Sequence, residues 1–220
     1  MTAIPDSIPL RNHRASLQEY LRSIVFAGDS VAGRIIEERL PPPVAADQIR
    51  PSLVLWACAA SGGDLSDALP VGAAFDLFDR FLLLHDELAN DSGDTVARWG
   101  LGQSLNAGDA LYALAFRSLA SDVGNAPRRL EAARFVADAV LRAIDSSGAF
   151  ARSAALTAAA LQAGALIGGA SPDAVQAFAT AGRLMAAEPD AACAALRAYA
   201  SHEHLEVFEE VARYVARRAA

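Results

Sequence analysis

The sequence predicts an all-α fold. Hydrophobic residues make up 53% of the 220 residues, and many of them are alanine, which favours helix and permits close packing between helices. Apolar side chains recur at spacings of three and four, as they do along one face of a helix. No segment alternates β-branched residues between turns, as a half-buried strand does. We therefore expect a bundle of helices in a single domain over residues 1–220.

Prolines and glycines divide the first part of the chain. Residues 14–40 have a helical pattern, in which Gly28 and Gly33 are candidate interruptions. Three prolines at 41–43 end this helix, because proline lacks an amide donor and keeps the preceding residue out of helix. A second helix is expected over residues 51–60, since Pro51 suits a first helical turn.

The next segment, FDLFDRFLLLHDELANDS at 75–92, is predicted to be an amphipathic helix. Residues 64–69 before it are interpreted as a short link or a helical turn, and Pro70 is expected to precede the helix. Spacings of three and four place one set of apolar residues on a single stripe: Ala74, Phe78, Phe81, Leu84 and Leu88. The polar residues fall towards the other side: Asp76, Asp79, Asp86, Glu87 and Asn90.

The second half of the chain is predicted to be entirely helical. A turn at 92–94 leads to the next helix, and Ser171 with Pro172 has the residues of a helix N-terminus. The predicted helices cover residues 101–120, 128–144, 150–167, 172–187, 190–200 and 204–218.

Composition argues against several classes of partner. A net charge of −7 and a pI near 5.1 do not suit nucleic acid, which requires a basic surface. Pro5, Asp6 and Pro9 interrupt the region where a signal peptide has its apolar core. The longest apolar run, about 154–170, contains Gln162 and three glycines and is short for a membrane span. We expect a cytoplasmic protein.

Two cysteines, Cys58 and Cys193, occur in apolar helical patterns. Buried free thiols are the expected state in the cytoplasm, although the sequence leaves a disulfide open. Histidines give no metal pattern, because His202 and His204 are two residues apart and diverge on a helix.

Four segments occur in an order that is typical of one enzyme family. They are RPSLVLWACAASGGD at 50–64, LLLHDELAND at 82–91, WGLGQSLNAGDAL at 99–111 and RSAALTAAALQAGALIGGASPDAV at 152–175. Together they resemble the trans-isoprenyl (polyprenyl) diphosphate synthases, which join isopentenyl diphosphate to an allylic diphosphate. The resemblance implies a shortened isoprenoid-synthase-like helical bundle.

The resemblance also implies a magnesium site. The family's aspartate-rich motif matches Asp86, Glu87, Asn90 and Asp91 here, with Asn90 in the place of a carboxylate. Magnesium prefers oxygen ligands, and an amide oxygen carries no charge. Asp91 is expected to compensate through its pairing with Glu87, four residues away. His85, which adjoins the motif, is structural in the resemblance.

Three further residues are implied in ligand binding. Arg50 matches the last arginine of a diphosphate-binding segment, and Arg152 matches a lysine that holds phosphate. Arg152 is alternatively an ordinary surface arginine. Phe81 matches the residue that forms the floor of the prenyl pocket, and is equally an ordinary core aromatic.

The chain departs from the family in its basic residues and in a second acidic motif. Asp47 and Gln48 replace a lysine and an arginine, and Arg98 is the only basic residue that soon follows the acidic motif. After residues 182–187 the second aspartate-rich motif is absent, and several tens of residues are missing relative to the family. An aspartate repels a diphosphate, so Asp47 weakens the same anion site.

These departures predict a protein of isoprenoid metabolism that does not run ordinary chain elongation. It would act as an isoprenoid-binding or partner subunit, as a homodimer or with a full-length prenyl synthase, pairing through residues 101–120. An active prenyl-diphosphate transferase or cyclase with a rebuilt magnesium site, using Asp86, Glu87 and Asp91, is the alternative. A scaffold whose cavity has collapsed is the third possibility.

Overall fold

The computed structural model describes residues 8–25, 30–40, 49–90, 92–121, 125–146 and 148–219. Within these ranges the chain forms eleven helices and no strand. The helices are α1 Ile8–Ile24, α2 Val31–Arg39, α3 Ile49–Ala60, α4 Leu65–Ala89, α5 Asp94–Trp99, α6 Leu101–Ser121, α7 Ala126–Asp145, α8 Ala149–Ile167, α9 Pro172–Leu184, α10 Pro189–Leu196 and α11 His202–Ala219. The all-α prediction is confirmed.

Two helices, α4 and α8, organise the packing. α4 packs against α1, α3, α6, α7 and α8, and α8 also packs against α3, α7 and α9. One hydrophobic cluster surrounds α4, and its largest members include Phe75 and Phe78. A second cluster joins α3 and α8 to the C-terminal helices, where Trp56 stacks on Phe208 with ring centroids 5.0 Å apart.

Helices α3 and α8 approach each other closely because Gly164 has no side chain. A Cβ atom on Gly164 would lie 2.2 Å from the carbonyl oxygen of Val54. The small residues in α8 therefore permit the contact on which both clusters depend. One window of α8, Phe150–Ile167, has the length and mean hydropathy of a membrane span, but 56% of it is buried inside the protein, as in a core helix.

The start of α4 corrects one prediction. The helix begins at Leu65, with Asp64 as its cap, and continues through Pro70 rather than starting after it. Proline removes the amide that would bond to the carbonyl of Ser66. Ser66 is exposed, so water can satisfy that carbonyl. The Pro70 carbonyl itself accepts a hydrogen bond from Ser118 Oγ of α6, at 2.9 Å.

Other boundaries differ in smaller ways. The predicted helix over 14–40 is two helices, and Gly33 lies buried inside the second one rather than interrupting it. Gly28 and residues 41–43 lie outside the described residues. The short helix α5 was not predicted, and α9 ends at Leu184 instead of 187. Cys58 and Cys193 are both free, as predicted, but only Cys58 is buried, since Cys193 is partly exposed.

Candidate active site

The acidic side of α4 faces arginines of the protein rather than open solvent. Asp76 was expected on the polar side of the helix, yet it is only 3% exposed. Arg80, one turn later, bonds it through Nε at 2.6 Å and through Nη2 at 3.1 Å. A carboxylate at this depth requires a paired cation, and Arg80 supplies it.

Asp79 is paired across the bundle with α3. Arg50 Nη1 lies 2.5 Å from Asp79 Oδ1, and Arg50 Nη2 donates to Ser153 Oγ of α8 at 3.1 Å. Burial raises the pKa of Asp79, and the positive charge of Arg50 opposes that rise. Arg50 therefore joins α3, α4 and α8 at one point.

Asp86 is paired with a helix that is distant in sequence. Arg152 of α8 donates through Nη1 to Asp86 Oδ2. The two residues that the sequence assigned to metal and to phosphate thus meet in one ion pair. Asp86 is 46% exposed in its side chain, so this pair is accessible from solvent. The Nε atoms of Arg152 and Arg50 are both buried, with no hydrogen-bond partner among the described residues.

Glu87 makes the most complete ion pair of the site. Arg39, the last residue of α2, approaches with both terminal nitrogens: Nη1 lies 3.0 Å from Oε2 and Nη2 lies 2.6 Å from Oε1. Thr95 Oγ1 accepts from Arg39 at 2.7 Å and donates to Glu87 at 3.1 Å. The hydrogen bonds from Arg39, with a contribution from Thr95, hold the pKa of Glu87 below its ordinary value, against the opposing effect of burial.

Asn90 and Asp91 complete the predicted metal set. Asn90 Nδ2 donates to the backbone carbonyl of Asp86 at 2.8 Å, which caps the end of α4. Asp91 lies outside the described residues. Among the residues that the structure describes, no group of three or more His, Cys, Asp or Glu side chains is arranged to hold a metal. Asp86 and Glu87 are each paired with an arginine, which does not fit an open magnesium site, whereas the bond of Asn90 uses its amide nitrogen and not its oxygen.

Phe81 lies beside the carboxylates in an aromatic group between α4 and α6. Its ring centroid is 4.4 Å from that of His85 and 5.4 Å from that of Tyr112. Phe81 is buried and Tyr112 is partly exposed. Its predicted role as the floor of a prenyl pocket stays a prediction.

His85 connects the acidic motif at the end of α4 with the NAGDAL segment of α6. A Cβ atom on Gly108 would lie 2.5 Å from His85 Nε2, so the NAGDAL segment needs glycine where the histidine ring packs. His85 Nε2 is buried, with no hydrogen-bond partner among the described residues. The contact fixes the residue next to Asp86 against α6, which agrees with the structural role expected for His85.

Sequence analysis did not single out Arg39 and Arg80, and it indicated Arg50 and Arg152 for phosphate rather than for these carboxylates. Arg98, the only basic residue that soon follows the acidic motif, pairs with Glu38 on the surface. Arg80 follows Asp76 by four residues, a spacing that predicts an ion pair on a helix. Arg39 precedes the prolines at 41–43 and has no local pattern that would point to Glu87, 48 residues later.

Comparison with known proteins gives one consistent group of relatives. No protein-family model matches the chain. It is 32% identical over 163 residues to the short chain isoprenyl diphosphate synthase of Methanothermobacter thermautotrophicus. That alignment covers 62% of this chain and 49% of the other protein. It is 29% identical over 126 residues to the small subunit of a heterodimeric geranylgeranyl pyrophosphate synthase of Arabidopsis thaliana, covering 54% of this chain and 33% of that protein.

Solved structures agree with these relatives. The polyprenyl synthase from Caulobacter crescentus, solved with calcium and isoprenyl diphosphate, superposes with a TM-score of 0.79 at 15% identity, and the match covers 100% of both chains. At 15% identity, this similarity is evidence for the fold alone. The chain spans about half the length of the first of these sequence relatives.

Proposed function

We propose that the chain belongs to the isoprenyl diphosphate synthase family and acts in isoprenoid metabolism as a prenyl-diphosphate-binding or partner subunit that does not elongate chains by itself. One observation carries this proposal. Both described carboxylates at the head of the predicted magnesium motif are bonded to the protein's own arginines, Asp86 to Arg152 and Glu87 to Arg39. Ionisation of an allylic diphosphate needs cations on the leaving group, and these carboxylates are not free to hold them.

The guanidinium groups of the same site support the binding part of the proposal. Arg50 and Arg152 come from different helices and meet Ser153 and Asp86 at one end of the bundle. The side chains of Arg50 and Arg152 are 23% and 27% exposed, so both are partly accessible to a ligand. Guanidinium groups suit phosphate oxygens in charge and geometry, so a prenyl diphosphate is the ligand class that we assign.

The partner role has support from a relative that is itself a subunit. The Arabidopsis small subunit aligns with 54% of this chain. α6 also exposes large apolar side chains at Leu101, Leu105 and Tyr112, which lie on one face at spacings of four and seven. We assign this face to pairing, with a second copy or with a full-length prenyl synthase.

A product assay tests the proposal. The purified chain is incubated with magnesium, labelled isopentenyl diphosphate and each short allylic diphosphate, beside a full-length isoprenyl diphosphate synthase as positive control. We expect no lengthened product from the chain alone. We also expect a change in product length or rate when the chain is added to the full-length enzyme. A lengthened product from the chain alone would contradict the proposal.

The second candidate function is an active transferase or cyclase with a rebuilt magnesium site. The accessibility of Asp86 favours it, because its pair with Arg152 can open without unpacking the core. In that case Asp86, Glu87, Asn90 and Asp91 would hold magnesium once their arginines move away. A cyclic or dephosphorylated product that disappears in Asp86→Ala would support this candidate. Turnover that is unchanged in Asp86→Ala would remove the metal role of this residue.

A further inference from the structure

We propose that Arg39 is a built-in counter-cation that takes the place of a metal ion at Glu87, so that Glu87 does not bind magnesium. The inference rests on the proposed function and explains its central feature. It differs from the expectation drawn from the family resemblance, in which Glu87 is a magnesium ligand.

The geometry of the pair leaves no carboxylate oxygen of Glu87 without a cationic donor. Both terminal nitrogens of Arg39 bond both oxygens of Glu87, at 2.6 and 3.0 Å, and Thr95 bonds Oε2 as well. Such two-pronged guanidinium–carboxylate pairs fix orientation as well as charge. A magnesium ion at either oxygen would lie beside the guanidinium, whose positive charge opposes its binding.

A second interaction holds the backbone of Arg39 in place without involving Glu87. Arg80, paired with buried Asp76, donates through Nη1 to the backbone carbonyl of Arg39 at the end of α2. The end of α2 is therefore bonded to α4 independently of the Arg39 side chain. Arg39 reaches Glu87 from a fixed backbone position, which distinguishes this pair from a mobile surface contact.

The connection between α4 and α5 covers the same carboxylate. Gly93 has a φ of +86°, and a Cβ atom there would lie 2.9 Å from Glu87 Oε2. Glycine is required both for this left-handed conformation and for the close approach. Gly93 and Thr95 thus lie directly over Glu87. A metal at Glu87 would have to fit beside this segment as well as beside the Arg39 guanidinium.

Binding of Mn²⁺, a spectroscopic substitute for Mg²⁺, tests the inference on the full chain. Electron paramagnetic resonance counts free Mn²⁺ for the wild-type protein, Arg39→Gln and the double variant Arg39→Gln with Glu87→Gln. Arg98→Gln is the matched control, because Arg98 is an exposed arginine that pairs with Glu38. We expect no binding to wild type or Arg98→Gln. Arg39→Gln should bind Mn²⁺ with a dissociation constant at least roughly tenfold below the highest value that the assay detects, and the double variant should lose that binding.

Two results would overturn the inference. The first is Mn²⁺ binding by the wild-type chain that is lost in Glu87→Gln, because Glu87 would then bind the metal while Arg39 is still present. The second is an Arg39→Gln protein that remains folded by circular dichroism and still fails to bind Mn²⁺. Failure here is distinguishable from failure of the proposed function. Metal binding without elongation would refute only the inference, whereas a lengthened product would refute the proposed function whatever the Mn²⁺ result.

Discussion

Neighbouring residues on α4 interact with different parts of the molecule. Asp86 bonds Arg152 of α8, and Glu87 bonds Arg39 of α2. Consecutive helical residues point about 100° apart, so two adjacent carboxylates can each be neutralised by a separate helix. The segment that resembles a metal motif therefore also joins α2 and α8 to α4 through ion pairs.

The Arg39–Glu87 pair should contribute measurably to stability. A double-mutant cycle with Arg39→Met and Glu87→Gln is expected to give a coupling free energy of about 1–3 kcal/mol, because the pair is bidentate and half-buried. Arg98 and Glu38 form the control pair, for which exposure limits the coupling to about 0–1 kcal/mol. Urea unfolding of all variants measures both values. Equal coupling in the two pairs would contradict the account of Arg39.

The two cysteines should differ in reactivity. Burial raises the pKa of Cys58 to about 12, and Cys58 Sγ donates to the carbonyl of Asp64. Its reactive thiolate is therefore almost absent at pH 8. We expect a thiol reagent to label partly exposed Cys193 first and Cys58 only after unfolding, as measured by mass spectrometry with Cys193→Ser as the control. Labelling of Cys58 in the folded chain as rapid as that of Cys193 would be incompatible with its burial.

The same thiol makes stability depend on pH. The folded state holds the Cys58 proton more tightly than the unfolded state does. The resulting contribution to the free energy of unfolding is fully present below pH 9, the ordinary pKa of the thiol. It is lost as the pH rises from about 9 towards 12. Unfolding free energies measured across this range should fall more steeply in the wild type than in Cys58→Ala. Parallel slopes would argue against the raised pKa.

At the scale of helices, close packing between α3 and α8 limits what the chain tolerates. Gly164→Ala places a methyl group 2.2 Å from the Val54 carbonyl oxygen, so we expect a loss of about 1–3 kcal/mol. Gly102→Ala is the matched control, because α6 leaves open space around Gly102. There alanine should be neutral or stabilise by up to about 1 kcal/mol. Thermal unfolding distinguishes the two variants, and equal unfolding midpoints would contradict the close contact between Gly164 and Val54.

Local sequence patterns predicted most helices but not the contacts between them. The apolar stripe of α4 was correct because a period near 3.6 depends only on neighbouring residues. Pro70 was misjudged because its tolerance depends on the exposure of Ser66, whose carbonyl loses its helical partner, and exposure is a property of the folded chain. Arg39 was missed for the same reason, since nothing near it in the sequence marks Glu87 as its partner. Long-range pairing is the information that local patterns lack.

At the scale of the whole molecule, the exposed apolar face of α6 predicts self-association. Light scattering should give the mass of a homodimer for the isolated chain. Leu105→Asp should shift the protein towards monomer, because a charge in the contact must be desolvated. Leu130→Asp on α7 is the control, since Leu130 is a more exposed leucine outside this face. A monomeric wild type would refute the homodimer, and an equal effect of both variants would refute the assigned face.

A diffraction experiment tests the central claim most directly. The wild-type chain is crystallised with Mn²⁺ and a prenyl diphosphate, and anomalous maps locate any bound manganese. We predict that Arg39 remains on Glu87 and that no anomalous peak lies at Glu87. A manganese ion coordinated by Asp86 and Glu87, with Arg39 and Arg152 displaced from them, would contradict the account and favour an active magnesium site.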